Sequence, residues 1–464
     1  MSSSRRWMAL VVLLTGTLLP PLDFFIVNVA LPAIRNDMHA TPDVAQLVVS
    51  VYAAAYAVTL ILGGRLGDLY GRKRAFMLGM LGFGMASALC GFAPSTNILV
   101  VGRLLQGVSA AVMAPQSLAC IHALFPASEK NLALSLYGAT FGIASVGGQL
   151  LGGVMVSTDA FGLGWRAIFL INLPVILCAM PAALALLRES RAERSERLDI
   201  PGAALLAGGL LMFIIPLIEG REHHWPWWCV ALLALSVPLL VAFWHYENRL
   251  ENAGRSPLVR PSLLLVPGLR RTMAATFFFY FLAPFFLTFA VYEQVGLGHG
   301  PLAASLAILP VGVGLLIGPL SSPYVARRLG SHAAGFGMGL EVCGLVLTAV
   351  LVNIGAPSWL PAPLLVIGVG QGIALPALVR LNVDKVDVRW AGLAAGLVSA
   401  TLQVSAAVSV ALVGGLFFAI APDDRHPEAV RLAFAIAALA IAAALALAAV
   451  LCLRRRDHVV SLPS

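Results

Sequence analysis

Two ionisable residues are conspicuous because each interrupts a long apolar stretch. Asp23 lies deep in the first apolar stretch of the chain, and Arg103 lies inside the fourth. If these stretches cross a lipid bilayer, a charged side chain within them is costly, so such residues usually mark a path for ions or substrates. We therefore predict that Asp23 binds and releases a proton, and that a substrate competes for it. The alternative is that Asp23 makes only a structural hydrogen bond to a neighbouring helix.

Arg103 needs either a charged partner or a water-filled cavity, because an arginine keeps its charge in proteins. On a helix, Gln106 at i+3 and Gly107 at i+4 lie on the same face as Arg103. The pattern predicts a polar face on which Arg103, with Gln106, tunes the carboxylate that binds the proton or connects to it through water. The alternative is a buried structural ion pair.

Two further acidic residues are candidates for proton or substrate coupling. Glu341 is the only acidic residue in its apolar stretch, so it is either a second proton or cation site or a residue that reaches water at the interface. Glu293 falls near the end of another stretch and is either a coupling residue or part of the rim. Six polar or amphipathic residues could line a cavity or simply join helices: Asn28, Tyr52, Tyr56, Asn172, Gln371 and Gln403.

The composition indicates that lipid surrounds these residues. Hydrophobic residues make up 59% of the 464 residues and charged residues only 11%, against about 25% charged in an average soluble protein. Lipid as the outer solvent removes the need for a charged surface. The net charge of +8 does not indicate nucleic-acid binding, because the basic residues form short clusters between apolar stretches.

The apolar stretches predict fourteen membrane-spanning helices in an all-α protein. A spanning helix needs about 20 mainly apolar residues. Of the 30 basic residues, 24 fall at the chain start or in alternate loops, including the clusters Arg72 to Arg74, Arg188 to Arg197 and Arg454 to Arg456. This asymmetry predicts a multi-pass membrane protein with both termini in the cytoplasm. The predicted helices start near Trp7, Val44, Ala75, Asn97, Leu132, Arg166, Pro201, Trp228, Thr272, Pro301, Ala334, Pro361, Ala391 and Arg431.

Two polar connectors divide these helices into six, two and six. One is the charge run from Arg188 to Arg197, and the other is the polar stretch 247–271. A turn motif after the second helix recurs 254 residues later, with Gly64 matched by Gly318 and Tyr70 by Tyr324. We therefore predict two related six-helix bundles, 1–197 and 248–464, with a helix pair inserted at 198–247.

The turn after the second helix reads GGRLGDLYGRKR over residues 63–74. This turn resembles the loop signature of the major facilitator superfamily. Four further segments are similar to the fourteen-helix drug:proton antiporter branch, in its order and spacing. They are the first helix (LDFFIVNVALP, 22–32), Arg103-x-x-Gln106-Gly107, the start of the sixth helix (WRAIFLIN, 165–172) and the start of the seventh (LDIPG, 198–202).

The resemblance implies the major facilitator fold and roles for particular residues. It implies that Asp23 binds the proton. It also implies that the turn motif braces a cytoplasmic gate through Gly64, Asp68, Gly71, Arg72 and Lys73. The fifth helix carries a helix-packing or antiporter motif, Gly148, Gln149, Gly152 and Gly153, in which Gln149 stands where the family has proline. This difference leaves antiport and symport open.

The expected function is proton-coupled export of drug-like, lipophilic cationic or neutral molecules by alternating access. The alternative is transport of one physiological metabolite on the same fold. A membrane enzyme is disfavoured, since no catalytic or phosphate-binding motif is found in the sequence. We expect a monomer in the bacterial inner membrane that uses the proton gradient and needs no metal or other cofactor.

Overall fold

The computed structural model describes residues 3–159, 162–190, 199–220, 225–255, 257–386, 391–421 and 426–453. Within these ranges the chain forms helices and turns, with no strand. Leu198 and the predicted charge-cluster residues Arg191, Arg194, Arg197 and Arg454 to Arg456 lie outside them.

Six long helices come first, followed by a pair. The six are α1 (Ser3–Asp37), α2 (Pro42–Tyr70), α3 (Arg72–Gly91), α4 (Thr96–Leu124), α5 (Ala127–Ser157) and α6 (Gly164–Leu186), which begins with a 3-10 turn. The pair is α7 (Ile200–Glu219) and α8 (Trp227–Asn252), which pack against each other.

The remaining helices are α9 (Leu269–Gly296), α10 (301–329, interrupted at Ile308), α11 (Ala333–Asn353), α12 (Pro361–Val383), α13 (391–420) and α14 (Pro427–Leu453). A single helical turn, Pro261–Leu264, precedes α9, and both α9 and α13 contain a π-helical turn near the same end of the molecule. A helix begins within five residues of every predicted start.

The helices are long and apolar enough to cross a membrane. Twelve helical segments in the described ranges meet this condition, or thirteen if the two parts of α2, bent by 47°, form one span. This count takes α10 and α11 together as Pro301–Asn353. Large apolar side chains face outward, for example Leu78, Leu177 and Leu320, which are 67%, 73% and 82% exposed. Such a surface is stable against lipid but not against water, and the chain is a multi-pass membrane protein.

Small residues let corresponding helices in the two halves approach closely. A Cβ atom on Gly63 of α2 would lie 2.0 Å from the Ala111 carbonyl oxygen of α4, and one on Gly368 of α12 would lie 2.0 Å from the Val311 carbonyl oxygen of α10. Helices in lipid pack through close approach at small residues, because the hydrophobic effect does not drive them together there.

Hydrogen bonds join the two halves at the end of the molecule that contains Asp37, here called the Asp37 end. Gln46 of α2 donates to the Val410 carbonyl oxygen of α13 at 2.8 Å, and Gln294 of α9 donates to the Val29 carbonyl oxygen of α1 at 2.9 Å. The opposite end carries the α2–α3 turn and is called the Asp68 end.

The structure corrects the predicted end of the eighth helix. The sequence predicts that the helix ends at Tyr246 and that Glu247 begins a polar connector. Instead α8 continues to Asn252, and Glu247 is fully buried. Glu247 is accommodated there because its Oε2 atom accepts a hydrogen bond from the Val259 backbone N–H at 2.8 Å.

Candidate functional site

Asp23 lies at the centre of a buried polar cluster formed by five helices. Its carboxylate pairs with the Arg103 guanidinium of α4, and both side chains are fully buried. The Oδ1 atom of Asp23 also accepts hydrogen bonds from Gln106 Nε2 at 3.1 Å and from Asn172 Nδ2 of α6 at 3.2 Å. A buried charge pair is tolerated only when further hydrogen bonds satisfy its remaining atoms, and the two amides provide them.

Ser87 of α3 completes the cluster. Its hydroxyl oxygen accepts hydrogen bonds from Gln106 Nε2 at 2.7 Å and from Asn172 Nδ2 at 3.0 Å. Ser87 is not among the predicted site residues, because a single serine in an apolar helix is common and carries little signal. The hydroxyl fixes the orientation of both amides that bind Asp23.

The Arg103 guanidinium is held by α2 as well as by Asp23. Its Nε donates to the Val48 carbonyl oxygen at 2.9 Å, its Nη1 donates to Gln106 Oε1 at 2.9 Å, and its Cζ lies 4.1 Å from the centre of the Tyr52 ring. A cation over an aromatic face is stabilised by the charge distribution of the ring. The Nη2 atom has no hydrogen-bond partner among the described residues. Arg103 therefore keeps several contacts if Asp23 becomes neutral.

The start of α6 positions Asn172 by binding the end of α1. Trp165 Nε1 and Arg166 Nη1 both donate to Asp37 Oδ2, at 2.9 Å and 2.7 Å. About two turns further along α6, Asn172 reaches Asp23. Helices α1 and α6 are thus joined at two points, and the second point is the cluster.

Glu341 lies in the other half of the molecule and not in the Asp23 cluster. It is fully buried, and neither carboxylate oxygen has a hydrogen-bond partner among the described residues. Its Cγ lies 2.8 Å from where a Cβ of Gly370 in α12 would stand, so α11 and α12 enclose it. Its side chain is therefore enclosed by protein in this structure. An ionised carboxylate without partners is strongly disfavoured in such a site.

Glu293 lies at the Asp37 end of α9, away from the cluster. Its side chain is 3% exposed and lies 2.8 Å from His299 Nδ1, while the His299 side chain is 50% exposed. Glu293 is therefore a buried carboxylate whose partner, His299, reaches the surface.

The turn motif joins α2 and α3 to the end of α6. Asp68 pairs with Arg72 at 3.0 Å within the turn, and Glu189 accepts a hydrogen bond from the Lys73 backbone N–H at 3.0 Å. Gly71 has φ of 110°, which favours glycine. Gly64 faces α4, where a Cβ would lie 3.8 Å from Pro115. In this structure Asp68, Arg72 and Lys73 make these contacts within the first six helices and the segment just after α6. Arg65 instead donates to the Pro257 carbonyl oxygen in the connector after α8.

The glycines of α5 contact both halves. Cβ atoms on Gly148 and Gly152 would lie 2.8 Å from the Leu22 carbonyl oxygen and 3.0 Å from the Ile26 carbonyl oxygen of α1. A Cβ on Gly153 would lie 2.2 Å from Ser305 Oγ of α10. Gln149, between them, is 4% exposed, and its Nε2 has no partner among the described residues.

The other predicted polar residues lie at separate places. Tyr52 donates to the Pro20 carbonyl oxygen at 3.0 Å and belongs to the Asp23 cluster, and Tyr56 stacks on it with ring centres 6.3 Å apart. Asn28 donates to the Phe24 carbonyl oxygen at 2.8 Å within its own helix. In the other half, Gln371 of α12 is buried and Gln403 of α13 is half-buried.

Aromatic residues that the sequence analysis did not single out lie where the halves meet. Tyr137 of α5 and Tyr280 of α9 are within electrostatic range of Tyr56. The Phe25 ring of α1 lies 4.8 Å, centre to centre, from the Phe286 ring of α9. A groove of about 620 Å³ lies elsewhere, between α3 and α6, and its lining includes Met77, Leu81, Met180 and Leu184.

The fold and the cluster define a membrane transporter, and the comparisons agree. Residues 13–410 match the family model of the Major Facilitator Superfamily. The chain belongs to this superfamily. A solved proton-dependent oligopeptide transporter superposes with a TM-score of 0.70 at 16% identity, over 97% of this chain and 98% of that chain. A bacterial homologue of the lysosomal transporter Spinster, solved in an inward-facing conformation, superposes with a TM-score of 0.68 at 14% identity, over 97% of each chain.

Curated relatives place the chain in the drug:proton antiporter branch. It is 37% identical to a probable actinorhodin transporter of Streptomyces coelicolor, over 90% of this chain and 73% of the relative. It is 35% identical to a puromycin resistance protein of Streptomyces alboniger, over 88% and 81%. It is 30% identical to a tetracenomycin C resistance and export protein of Streptomyces glaucescens, over 92% and 79%.

Proposed function

We propose that the chain is a proton-coupled exporter of lipophilic, drug-like molecules, and that Asp23 is its proton-binding group. The observation that carries the proposal is the fully buried pair of Asp23 and Arg103. A carboxylate away from water, held by a permanent cation, changes its bonding when it gains a proton. Protonation of Asp23 cancels its attraction to the guanidinium, and Arg103 keeps the Val48 carbonyl oxygen and the Tyr52 ring.

This change would couple protons to movement of the helices. Asp23, Arg103, Gln106 and Asn172 come from α1, α4 and α6, so a weakened cluster alters how these helices pack. Export would follow if the proton-bound and substrate-bound states prefer opposite openings of the two halves. Glu341, which is buried and has no hydrogen-bond partner in the part of the chain that the structure describes, is the candidate for a second proton in the other half.

Aromatic residues near the contact between the halves support the proposed substrate class. Tyr56, Tyr137 and Tyr280 offer aromatic faces with polar hydroxyl groups, which suit lipophilic ring compounds. The relatives named for resistance to or export of antibiotics support the same class.

The proposed arrangement has fourteen spans: α1 to α6, the inserted pair α7 and α8, and α9 to α14. The matched close approaches of α2 to α4 and of α10 to α12 support two related bundles. The basic residues of the alternate loops support cytoplasmic termini in a bacterial inner membrane. The transporter would act as a monomer, with the proton gradient as its energy source.

The test is transport in proteoliposomes with an imposed pH gradient, using a panel of aromatic dyes, antibiotics and small metabolites. The wild type should drive at least one lipophilic compound against its gradient. Asp23→Asn should reduce this movement to the level of protein-free liposomes, because the amide cannot bind and release the proton. Gradient-driven transport at the wild-type rate by the Asp23→Asn variant would remove Asp23 from the mechanism.

The matched control is Asp159→Asn, since Asp159 is an exposed carboxylate in the loop after α5. It should transport as the wild type does. Size-exclusion profiles of both variants separate lost coupling from lost folding. Transport of a metabolite alone, with no lipophilic compound moved, would instead favour the metabolite carrier.

A further inference from the structure

A second pair of buried acidic residues lies at the Asp68 end, outside the Asp23 cluster. Asp199 precedes the first turn of α7, and Glu247 lies near the end of α8; the two residues are 5% and 0% exposed. A Cβ on Gly202 would lie 2.2 Å from Asp199 Oδ2 and 2.4 Å from Glu247 Oε1, so these two oxygens lie within about 4.6 Å of each other. Gly202 leaves the space in which they face one another.

The facing oxygens are the unsatisfied ones. Neither Asp199 Oδ2 nor Glu247 Oε1 has a hydrogen-bond partner among the described residues. The other oxygens are occupied: Asp199 Oδ1 accepts from the Gly202 backbone N–H and the Tyr246 hydroxyl, both at 3.0 Å, and Glu247 Oε2 accepts from the Val259 backbone N–H at 2.8 Å. Two carboxylates this close and this buried cannot both be ionised at little cost.

We propose that Asp199 and Glu247 form a proton-binding carboxyl pair that holds the connector after α8 against the Asp68 end of α2. The proton sits on Glu247 Oε1 and is donated to Asp199 Oδ2. Asp199 is the ionised partner, because it caps α7, where the positive end of the helix dipole favours a negative charge. One shared proton satisfies both oxygens that otherwise lack a partner.

The pair is linked to α2 through the connector. Glu247 holds the Val259 N–H, and two residues earlier the Pro257 carbonyl oxygen accepts from Arg65 of α2. Leu258, between them, is buried beside Ala203 of α7. When the proton leaves, repulsion between two carboxylates displaces Glu247, and the connector loses its hydrogen bond at Val259. The connection is therefore present at lower pH and lost as the pH rises.

Other charged and titratable groups around the pair come from three elements. Tyr246 of α8 binds Asp199, and Arg65 of α2 binds the connector. Arg255 and Arg260 lie in the connector itself. Glu251, one turn after Glu247, is exposed to a greater extent than Glu247 and accepts from the Ser262 backbone N–H at 3.0 Å. Glu251 is thus a matched control on the same helix.

Infrared spectroscopy of the purified protein tests the proton directly. The wild type should show a protonated-carboxyl band that shifts in D₂O and decreases as the pH is raised from 5 to 9. Glu247→Gln should remove this component, and Glu251→Gln should leave it in place. An unchanged spectrum in Glu247→Gln would overturn the proposal. Loss of the band at fixed pH when sodium replaces choline in the buffer would also overturn the proposal, because the pair would then be a cation site.

Hydrogen exchange of the connector tests the consequence. In the wild type, protection of the peptide that contains Val259 should fall as the pH rises, after correction for the pH dependence of intrinsic amide exchange, and Glu251→Gln should behave as the wild type does. In Glu247→Gln it should persist, because the amide can donate to Asp199 and still accept from Val259. The pH dependence in the wild type tests the proposal even if a variant does not fold. A connector whose corrected protection is the same at pH 6 and pH 8 would refute the proposal.

Discussion

At the scale of single residues, Asp23 and Arg103 stabilise each other only while both are present. Each side chain is fully buried, and an isolated charge in such a site is far more costly than a paired one. The amides of Gln106 and Asn172 add hydrogen bonds to Asp23 but cannot replace the positive charge. The pair should therefore behave as one unit in unfolding experiments.

A double-mutant cycle checks this coupling. Arg103→Gln alone should lower the free energy of unfolding by about 3–5 kcal/mol, because it leaves the Asp23 carboxylate buried and unpaired. Arg103→Gln combined with Asp23→Asn should cost clearly less than the sum of the single variants. Unfolding in increasing concentrations of a denaturing detergent at fixed pH gives the loss of free energy for each single variant and for the double variant. If the two single losses add up to the double loss, the two side chains do not interact.

At the scale of helices, α5 is one of the elements that contact both halves. Gly148 and Gly152 bring it against α1, which carries Asp23, and Gly153 brings it against α10. Any relative movement of the halves must therefore slide or tilt α5 against a neighbour. The small residues permit this close contact, and Gln149 sits within it.

Neighbouring glycines of α5 make a matched comparison. A Cβ on Gly148 would lie 2.8 Å from the Leu22 carbonyl oxygen and 2.9 Å from Phe25 Cβ, whereas one on Gly147 meets nothing within 4 Å. Gly148→Ala should destabilise by about 1–3 kcal/mol through overpacking. Gly147→Ala should be neutral or stabilise by about 0.5–1 kcal/mol, since alanine suits a helix interior better. Thermal unfolding of both variants measures these changes in stability. Equal changes in the two variants would contradict the packing argument.

At the scale of the whole molecule, the two halves are joined at the Asp37 end. The contacts come from several helix pairs: α1 with α9, α2 with α13, and α5 with α10. At the Asp68 end, Asp68 and Arg72 pair with each other and the Lys73 backbone N–H binds Glu189 just after α6. Arg65 of the same motif binds the connector after α8. Alternating access requires the contacts at the Asp37 end to break in another state of the transport cycle.

Cross-linking across the Asp37 end tests this requirement. The Leu302 backbone N–H donates to Ser157 Oγ at 3.0 Å, so cysteines at these two positions are well placed for a disulfide. With the six native cysteines replaced by alanine, Ser157→Cys with Leu302→Cys should lose transport on oxidation and regain it on reduction.

The control pairs Ser157→Cys with Leu320→Cys, because Leu320 lies towards the opposite end of α10 and is 82% exposed. It should neither cross-link within the chain nor respond to oxidant. Full transport by the cross-linked Ser157 and Leu302 variant would mean that the Asp37 end does not open.

The helices and the family could be predicted from the sequence because their causes are local. The length of each apolar stretch and the need to satisfy every backbone group in lipid determine where a helix forms. For this reason a helix begins within five residues of each predicted start. Asp23, Arg103, Gln106 and Asn172 were found for a similar reason, since each is a polar residue in an apolar helix.

Tertiary packing decided which of these residues meet. Asn172 reaches Asp23 across 149 positions of the chain, and Ser87, the Val48 carbonyl oxygen and the Tyr52 ring enter the same cluster from α3 and α2. The local pattern of one helix shows which face is polar but not which neighbour that face meets or at what height. Glu247 is the clearest case: its sequence indicates a connector, but in the folded chain it is buried, accepts a hydrogen bond from the Val259 N–H and lies close to Asp199.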